Sequence, residues 1–409
     1  MKIMIIGAGP AGVTAAETVR IFDRRAEITM LTDEPYLPYS PPAMADHFIV
    51  GSDNHLWRSP DWPAEMGIIY RRGVKVAGIE PERHQVQLEN GETLSYDRLL
   101  VCSGARLYAP LEGVQLAGIY NFKSLSAAEE LVNKVKGGEA GSAIVVGAGF
   151  IGMEIALLLR QLGVTVVQIE MLDQVMATML DTETAAVACD LMRTHGVDVL
   201  LNTKASEFVG NGKANGVRLE NGTVLQADLL IAATGVKPNL EFLEGSGVDC
   251  KWGIQVDEQL KTNAENIYAA GDCIETPDLV NGKTFVHAIF ANAVEQGRVA
   301  GLNLAGHATA YQGAERMNSL KHLGLPIVAA GDKEGDRILR EKNGRNLRTI
   351  YLKENRLVGY QLVGDIQAAG IYHALMLQKS DISQMEKRLL APGFSEGVLA
   401  WKAIESFRQ

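Results

Sequence analysis

Two stretches of this chain repeat one another, and the repeat constrains the fold more than any other feature. Leu88-Glu89-Asn90-Gly91, Leu94, Asp97, Leu99 and Ser103-Gly104 return 131 residues later as Leu219-Glu220-Asn221-Gly222, Leu225, Asp228, Leu230 and Thr234-Gly235. Each copy follows a glycine fingerprint, Gly7-Ala8-Gly9-Pro10-Ala11-Gly12 or Gly147-Ala148-Gly149-Phe150-Ile151-Gly152. In a strand–turn–helix unit the first glycine permits the tight turn, the second lets backbone approach a pyrophosphate, and the third lets helix pack on strand. The diphosphate then rests on the helix N-terminus, where free N–H groups and the helix dipole favour negative charge. One such fingerprint is weak evidence. Two, each trailed by a matching hairpin, point to two dinucleotides in one polypeptide and to a relay in which one reduces the other.

The pattern along the chain supports the same units. Residues 2–6 read as a buried strand, Ala11 to Phe22 as a helix and Ile28 to Leu31 as the next strand. Four prolines between Pro35 and Pro42 mark a loop. The Asn90-Gly91 pair, between Val86-Gln87-Leu88 and Thr93-Leu94, predicts a hairpin, as does Asn221-Gly222. After the loop Gly137 to Gly141 the pattern restarts with strand Ala143 to Val146, helix Ile151 to Leu162 and strand Thr165 to Ile169. Tyr268-Ala269-Ala270-Gly271-Asp272 precedes a helix expected from about Ala288 to Leu304. Residues 313–409 differ: strand-like segments (Arg348 to Leu352, Leu357 to Leu362) come before helical ones (Ile366 to Gln378 and the chain end).

Composition narrows the partners. A net charge of −10 argues against nucleic acid. No apolar run reaches the ~18–20 residues needed to span a bilayer. The first fingerprint begins so close to Met1 that no signal peptide is expected, and a cytoplasmic protein is. Cys102, Cys189, Cys250 and Cys273 are widely spaced, so neither a disulfide framework nor a metal site is expected.

An acid near the end of the second strand, ~20 residues past the fingerprint, takes the adenosine ribose hydroxyls in such units. Glu170 fits in the second unit, and Met171-Leu172-Asp173 after it offers no arginine for a 2′-phosphate, so NADH is expected over NADPH. In the first unit the equivalent position is Thr32, with Asp33 beside it; Asp33 either reaches the ribose from one residue later or belongs to a solvated turn.

Taken together, the two fingerprints, Ser103-Gly104, Ala233-Thr234-Gly235-Val236-Lys237-Pro238-Asn239 and Tyr268-Ala269-Ala270-Gly271-Asp272 resemble the FAD- and NAD(P)H-dependent pyridine nucleotide oxidoreductases over roughly residues 1–310. The resemblance implies an α/β fold: two Rossmann-like domains of the glutathione-reductase type plus a small C-terminal α+β domain. The expected division is 1–112 and 244–312 for an FAD-binding domain in two segments, 113–243 for an NAD(H)-binding domain and 313–409 for an interface domain. It also implies that Gly7, Gly9, Pro10, Ala11, Gly12, Thr32, Asp33, Ser103, Gly104, Gly271 and Asp272 face FAD, Asp272 at the ribityl chain. Gly147, Gly149, Phe150, Ile151, Gly152, Glu170 and Gly235 would face NAD(H), with Glu154 at the nicotinamide amide. Val76 is either an adenine contact or a plain strand residue, and Phe150 either gates the nicotinamide or packs in the core.

Absent residues narrow the branch. The disulfide reductases carry Cys-x4-Cys after the first helix and their peroxidase relatives a single Cys; here no cysteine precedes Cys102. The C-terminal His-Pro with its paired Glu is also missing, since His373 lies in Gly370-Ile371-Tyr372-His373-Ala374. Thiol chemistry lacks its nucleophile. The nearest likeness is to NADH:rubredoxin and ferredoxin reductases and the flavin portion of nitrite reductases, with Pro41 standing where several relatives place a lysine.

The expected reaction is hydride transfer between nicotinamide and flavin N5, which needs alignment more than acid–base groups. The helix near Ala288 would stabilise charge on reduced flavin, and His287 would either donate to the flavin or be satisfied by backbone. The expected partner is an iron–sulfur protein, either free rubredoxin or ferredoxin or a subunit of a nitrite or aldehyde oxidoreductase. A peroxide-forming NADH oxidase and an NADH-responsive interaction module are the alternatives, and a homodimer and a hetero-oligomer both stay open. A last amphipathic piece with Val398, Leu399, Trp401, Ile404 and Phe407 either packs on its own domain or docks a partner.

Overall fold

Lys2–Ile6, buried from its second residue on, is the centre of a five-stranded parallel sheet. The computed structural model describes residues 1–391 and residue 394, so the amphipathic piece beyond Phe394 lies outside the described residues. The sheet runs Ile267–Ala269, Arg98–Val101, Lys2–Ile6, Glu27–Leu31, Ile68–Arg71. Strands covered on both faces read as continuous apolar runs, which is why Ile3-Met4-Ile5-Ile6 stood out.

A second parallel sheet has the same order: Ile119–Tyr120, Leu229–Ala232, Ser142–Val146, Thr165–Ile169, Val197–Leu200. In each, the central strand feeds the fingerprint and pairs on one side with the strand that follows the hairpin. The fifth strand differs. The second sheet takes it from just upstream, whereas the first takes Ile267–Ala269 from beyond the whole second unit. Both predicted hairpins form, Gln85–Leu88 with Thr93–Ser95 and Lys213–Leu219 with Val224–Gln226. Gly91 and Gly222 turn them at φ +85° and +86°, where a Cβ would be strained.

From Met317 the chain builds a five-stranded antiparallel sheet in the order Met317–Leu320, Ile327–Gly331, Arg356–Val363, Asn346–Lys353, Arg337–Asn343. Helix Ala369–Leu377 covers it through Ile371, Tyr372, Leu375 and Met376. Three of these strands were not legible in advance. This domain grips both others. Arg316 Nε donates to Asp278 Oδ2 at 2.8 Å on the first unit. Tyr351 donates to Asp181 Oδ2 at 2.9 Å on the second, where Asp181 also caps helix Thr182–Thr194.

No helix among the described residues is long and apolar enough to cross a membrane.

Candidate functional site

The two fingerprints fold identically. Gly7 (φ +107°) and Gly147 (φ +103°) make the turn, and a Cβ would lie 2.0 Å from the Cys102 carbonyl oxygen in one and 2.4 Å from that of Ala233 in the other. Gly12 and Gly152 meet the turn itself: a Cβ would fall 2.1 Å from Gly7 O and 2.2 Å from Gly147 O. Gly9 and Gly149 are different. Nothing of the protein lies within 4 Å of a Cβ on either. Steric need inside the fold explains the outer glycines and leaves the middle ones unexplained, unless a ligand fills that space.

Helix starts carry the same message. Helices Pro10–Phe22 and Phe150–Gln161 begin at Gly9 and Gly149 without a side-chain cap, whereas Leu125–Lys136 and Thr182–Thr194 are capped by Ser124 and Asp181. Uncapped first-turn N–H groups are ready donors to a pyrophosphate. Pro10 stands at the helix start, where its missing N–H costs nothing.

Another helix without a side-chain cap, Phe290–Leu304, packs along the first fingerprint helix. Gly297 and Gly301 permit this: a Cβ at Gly297 would sit 2.3 Å from Ala11 O, and one at Gly301 2.7 Å from the Thr18 side chain. The sequence reading missed that small-residue spacing, and it also set the helix start too early. Ile289 is extended (φ −129°, ψ 132°), so Ala288 lies ahead of the helix rather than in it.

His287 is 5 % exposed, and neither ring nitrogen has a hydrogen-bond partner. Burial pulls its pKa down to about 4, so it is neutral. Donation to the flavin and satisfaction by backbone were the two expectations, and the Thr276 backbone is the protein hydrogen-bonding group that acts on the ring, short of a formed hydrogen bond to either nitrogen.

At the end of strand Thr165–Ile169, Glu170 accepts from Ala148 N at 2.8 Å and from Leu172 N at 3.0 Å, which fixes its carboxylate over the fingerprint. In the first unit Thr32 is buried, its hydroxyl accepting from Glu34 N, and the neighbouring Asp33 is exposed. Glu34 is engaged instead by Ser126 N and the Tyr39 hydroxyl. Val76 is a buried strand residue opposite Leu88.

The units are latched where the repeat ends. Ser103 Oγ donates to Asn239 O at 2.8 Å, Asn239 Nδ2 donates to Ser103 O at 2.9 Å, and Asn239 N donates to Gly104 O. Strand Ala105–Leu107 runs antiparallel to Val236–Pro238, next to Gly235. Gly271 N donates to Gln296 Oε1 at 2.7 Å, and Asp272 pairs with Lys123 at 2.8 Å.

Glu154 projects from the second fingerprint helix with its side chain 18 % exposed. Burial raises its pKa to about 7. Phe150 and Ile151 are half-buried against the second unit's core. Thiols offer no nucleophile. All four cysteines are free, and burial raises every one, Cys273 to about 11.

Two gatherings were not legible. His373, read as having no acidic neighbour, meets Glu315 across 58 residues, Nε2 to Oε2 at 2.7 Å. His47, Asp53 and His55, which the cysteine pattern gave no reason to group, bring their polar atoms within 4.8 Å of one another. The two imidazole rings lie 3.8 Å apart between centroids, tilted by 39°.

Comparison with known proteins agrees with this geometry. The family profile described as pyridine nucleotide-disulphide oxidoreductase matches residues 1–297. The chain is 30 % identical over 408 residues to the NADH-dependent phenylglyoxylate dehydrogenase subunit epsilon of Aromatoleum evansii, covering 97 % of this chain and 96 % of that one. It is 28 % identical to the NADH-rubredoxin oxidoreductase of Clostridium acetobutylicum, over 89 % and 91 %. Among solved structures it is similar to an NAD-dependent persulfide reductase from A. fulgidus, with a TM-score of 0.87, 27 % identity, and 97 % and 80 % coverage. With two matched glycine turns, each opening a helix, and a profile spanning most of its length, the chain belongs to the pyridine nucleotide-disulphide oxidoreductase family, whose cofactors here are FAD and NAD(H).

Proposed function

We propose that the chain carries electrons between NADH and an iron–sulfur protein, with FAD along the first fingerprint and NAD(H) along the second. The observation that carries this reading is the pair of open positions at Gly9 and Gly149, set in two units latched through Ser103 and Asn239. Bound side by side, the two cofactors supply two-electron hydride chemistry, and a flavin can release electrons singly.

The chain's own residues bind and orient. Gly7, Gly9, Pro10, Ala11 and Gly12 cradle one diphosphate, and Gly147, Gly149, Phe150, Ile151 and Gly152 the other. Asp33, beside buried Thr32, and Glu170 take the riboses, with Val76 toward the adenine of FAD. Ser103, Gly104, Gly271, Asp272 and Ala288 line the flavin, while Gly235 and Glu154 line the nicotinamide. His287, neutral and unpartnered, offers one ring N–H to the flavin. In this reading the chain divides into 1–112 with 244–312 for FAD, 113–243 for NAD(H) and 313–409 as the interface domain.

Lack of a low-pKa thiol turns the reading away from disulfide chemistry and toward an external one-electron acceptor. Two relatives support that choice: one is named for rubredoxin and the other is a subunit of an NADH-dependent dehydrogenase. The partner is therefore a free rubredoxin or ferredoxin, or an iron–sulfur subunit of a larger oxidoreductase in the cytoplasm. The test is NADH turnover with cytochrome c as reporter, with and without added rubredoxin or ferredoxin. Reduction that depends on the added protein supports the reading. Oxygen consumption equal to NADH loss, unaffected by it, overturns the reading in favour of an oxidase.

A further inference from the structure

Groups from three parts of the chain converge beside Glu154. Glu154 stands on the second fingerprint helix and Asp46 on helix Met44–Val50 of the first unit. Lys321 and His322 lie in the turn between strands Met317–Leu320 and Ile327–Gly331 of the C-terminal domain. His322 Nε2 is 3.4 Å from Asp46 Oδ1 and 3.8 Å from Glu154 Oε2, and Lys321 Nζ is 3.1 Å from Asp46 Oδ2.

That Nε2 is buried and in hydrogen-bond geometry with neither carboxylate. Its single N–H can serve one of the two at a time. Asp46 already has Lys321, whereas Glu154 pairs with no lysine or arginine among the described residues. Lys321 thus serves Asp46, which leaves the His322 N–H, 3.4 Å from Asp46 and 3.8 Å from Glu154, available to Glu154.

We propose that His322, carried by the C-terminal domain, is the positioning residue that holds the Glu154 carboxylate for the nicotinamide carboxamide, so that a third domain completes the NAD(H) site. This rests on the reading of Glu154 as the acid facing the nicotinamide. Asp46, Lys321 and His322 are the charged and titratable groups that face it. Burial raises Glu154 to about 7, Lys321 opposing and Asp46 adding to the shift. Burial also holds His322 below its ordinary value, so its imidazole is neutral and can donate from Nε2. An ionised Glu154 accepts the carboxamide N–H, so NAD+ binding strengthens as pH rises through the Glu154 titration. Deleting the imidazole removes the donor that the ionised carboxylate would draw on, which moves that limb to higher pH.

The test measures NAD+ affinity of the FAD-loaded protein by calorimetry across the neutral range for wild type, His322→Ala, His322→Gln and Glu154→Gln. The imidazole nitrogens of the wild type and Glu154→Gln are titrated in parallel by NMR. His322→Ala is expected to weaken NAD+ about tenfold at neutral pH and to move the midpoint upward, with His322→Gln restoring most of the affinity through its own N–H. The His322 resonance is expected to shift in Glu154→Gln. A His322 titration indifferent to Glu154→Gln overturns the proposal alone and leaves the Glu154 reading standing. A coupled titration with NAD+ affinity unchanged in both Glu154→Gln and His322→Ala overturns the nicotinamide role of Glu154, and the proposal with it.

Discussion

Lys123 and Asp272 form an ion pair at 2.8 Å across 149 residues of sequence, joining the two dinucleotide-binding units. Lys123 follows the fifth strand of the second sheet and Asp272 the fifth strand of the first. Both side chains are largely buried, at 22 % and 18 % exposure. Losing one partner leaves the other charge half-desolvated, so Lys123→Met is expected to cost about 1–2 kcal/mol in the flavin-free protein. Flavin ribityl hydroxyls can donate to the stranded carboxylate, so FAD is expected to recover part of the loss. Urea unfolding with and without FAD measures both. An equal penalty in the two conditions would show that Asp272 does not face the flavin.

The fingerprint glycines separate folding from binding. At Gly12 a Cβ meets backbone at 2.1 Å, so Gly12→Ala is expected to destabilise the protein whether or not a cofactor is present. At Gly9 a Cβ meets no protein atom, so Gly9→Ala is expected to keep the flavin-free melting temperature and lose FAD affinity. Gly149→Ala is expected to retain its yellow colour and lose NADH. Melting curves and flavin content distinguish the three variants.

What was legible follows from where the backbone itself imposes the residue. Gly7, Gly147, Gly91 and Gly222 sit at positive φ, and such constraints survive in sequence as fixed letters at fixed spacing. The Glu170 position was legible for a similar reason: a parallel strand of set length delivers its last residue over the fingerprint. The start of helix Phe290–Leu304 was not, because Ile289, at the N-cap, is apolar and carries none of the usual capping side chains that mark a helix start. Glu154, Asp46 and His322 are brought together by the docking of three domains, and no periodicity encodes that. Glu315 and His373 escaped for the same reason.

Opposite pH dependences are expected from His287 and Glu154. Burial lowers the His287 pKa from 6.5 to about 4, so below pH 6.5 the unfolded chain takes up a proton that the folded one refuses. Its contribution is fully present above that value and is lost as pH falls toward 4, by about 3 kcal/mol. Glu154 is raised from 4.5 to about 7, so the folded state holds its proton more tightly and stability declines as pH rises between those values. Without NADH, Glu154→Gln is expected to exceed wild type in stability at pH about 8 and to match it near pH 4.5, while His287→Gln flattens the acid limb. Denaturant midpoints at the two pH values decide both signs.

If Glu170 takes the adenosine ribose, as proposed, nucleotide choice is expected to follow from it. Its carboxylate is held by Ala148 N and Leu172 N, so it is expected to resist a 2′-phosphate there by position and by charge repulsion. Met171, next in the chain, is 58 % exposed and free to be replaced by a cation. Glu170→Ala is expected to weaken NADH about tenfold, the loss of a charge-assisted hydrogen bond to the ribose, with little gain for NADPH. Combined with Met171→Arg it is expected to reverse the preference, because a guanidinium matches a phosphate in charge and in donor geometry. The ratio of kcat/KM for flavin-linked acceptor reduction with the two nucleotides measures the effect. Retention of the NADH preference in the double variant would mean that the adenosine ribose binds elsewhere than at the end of strand Thr165–Ile169.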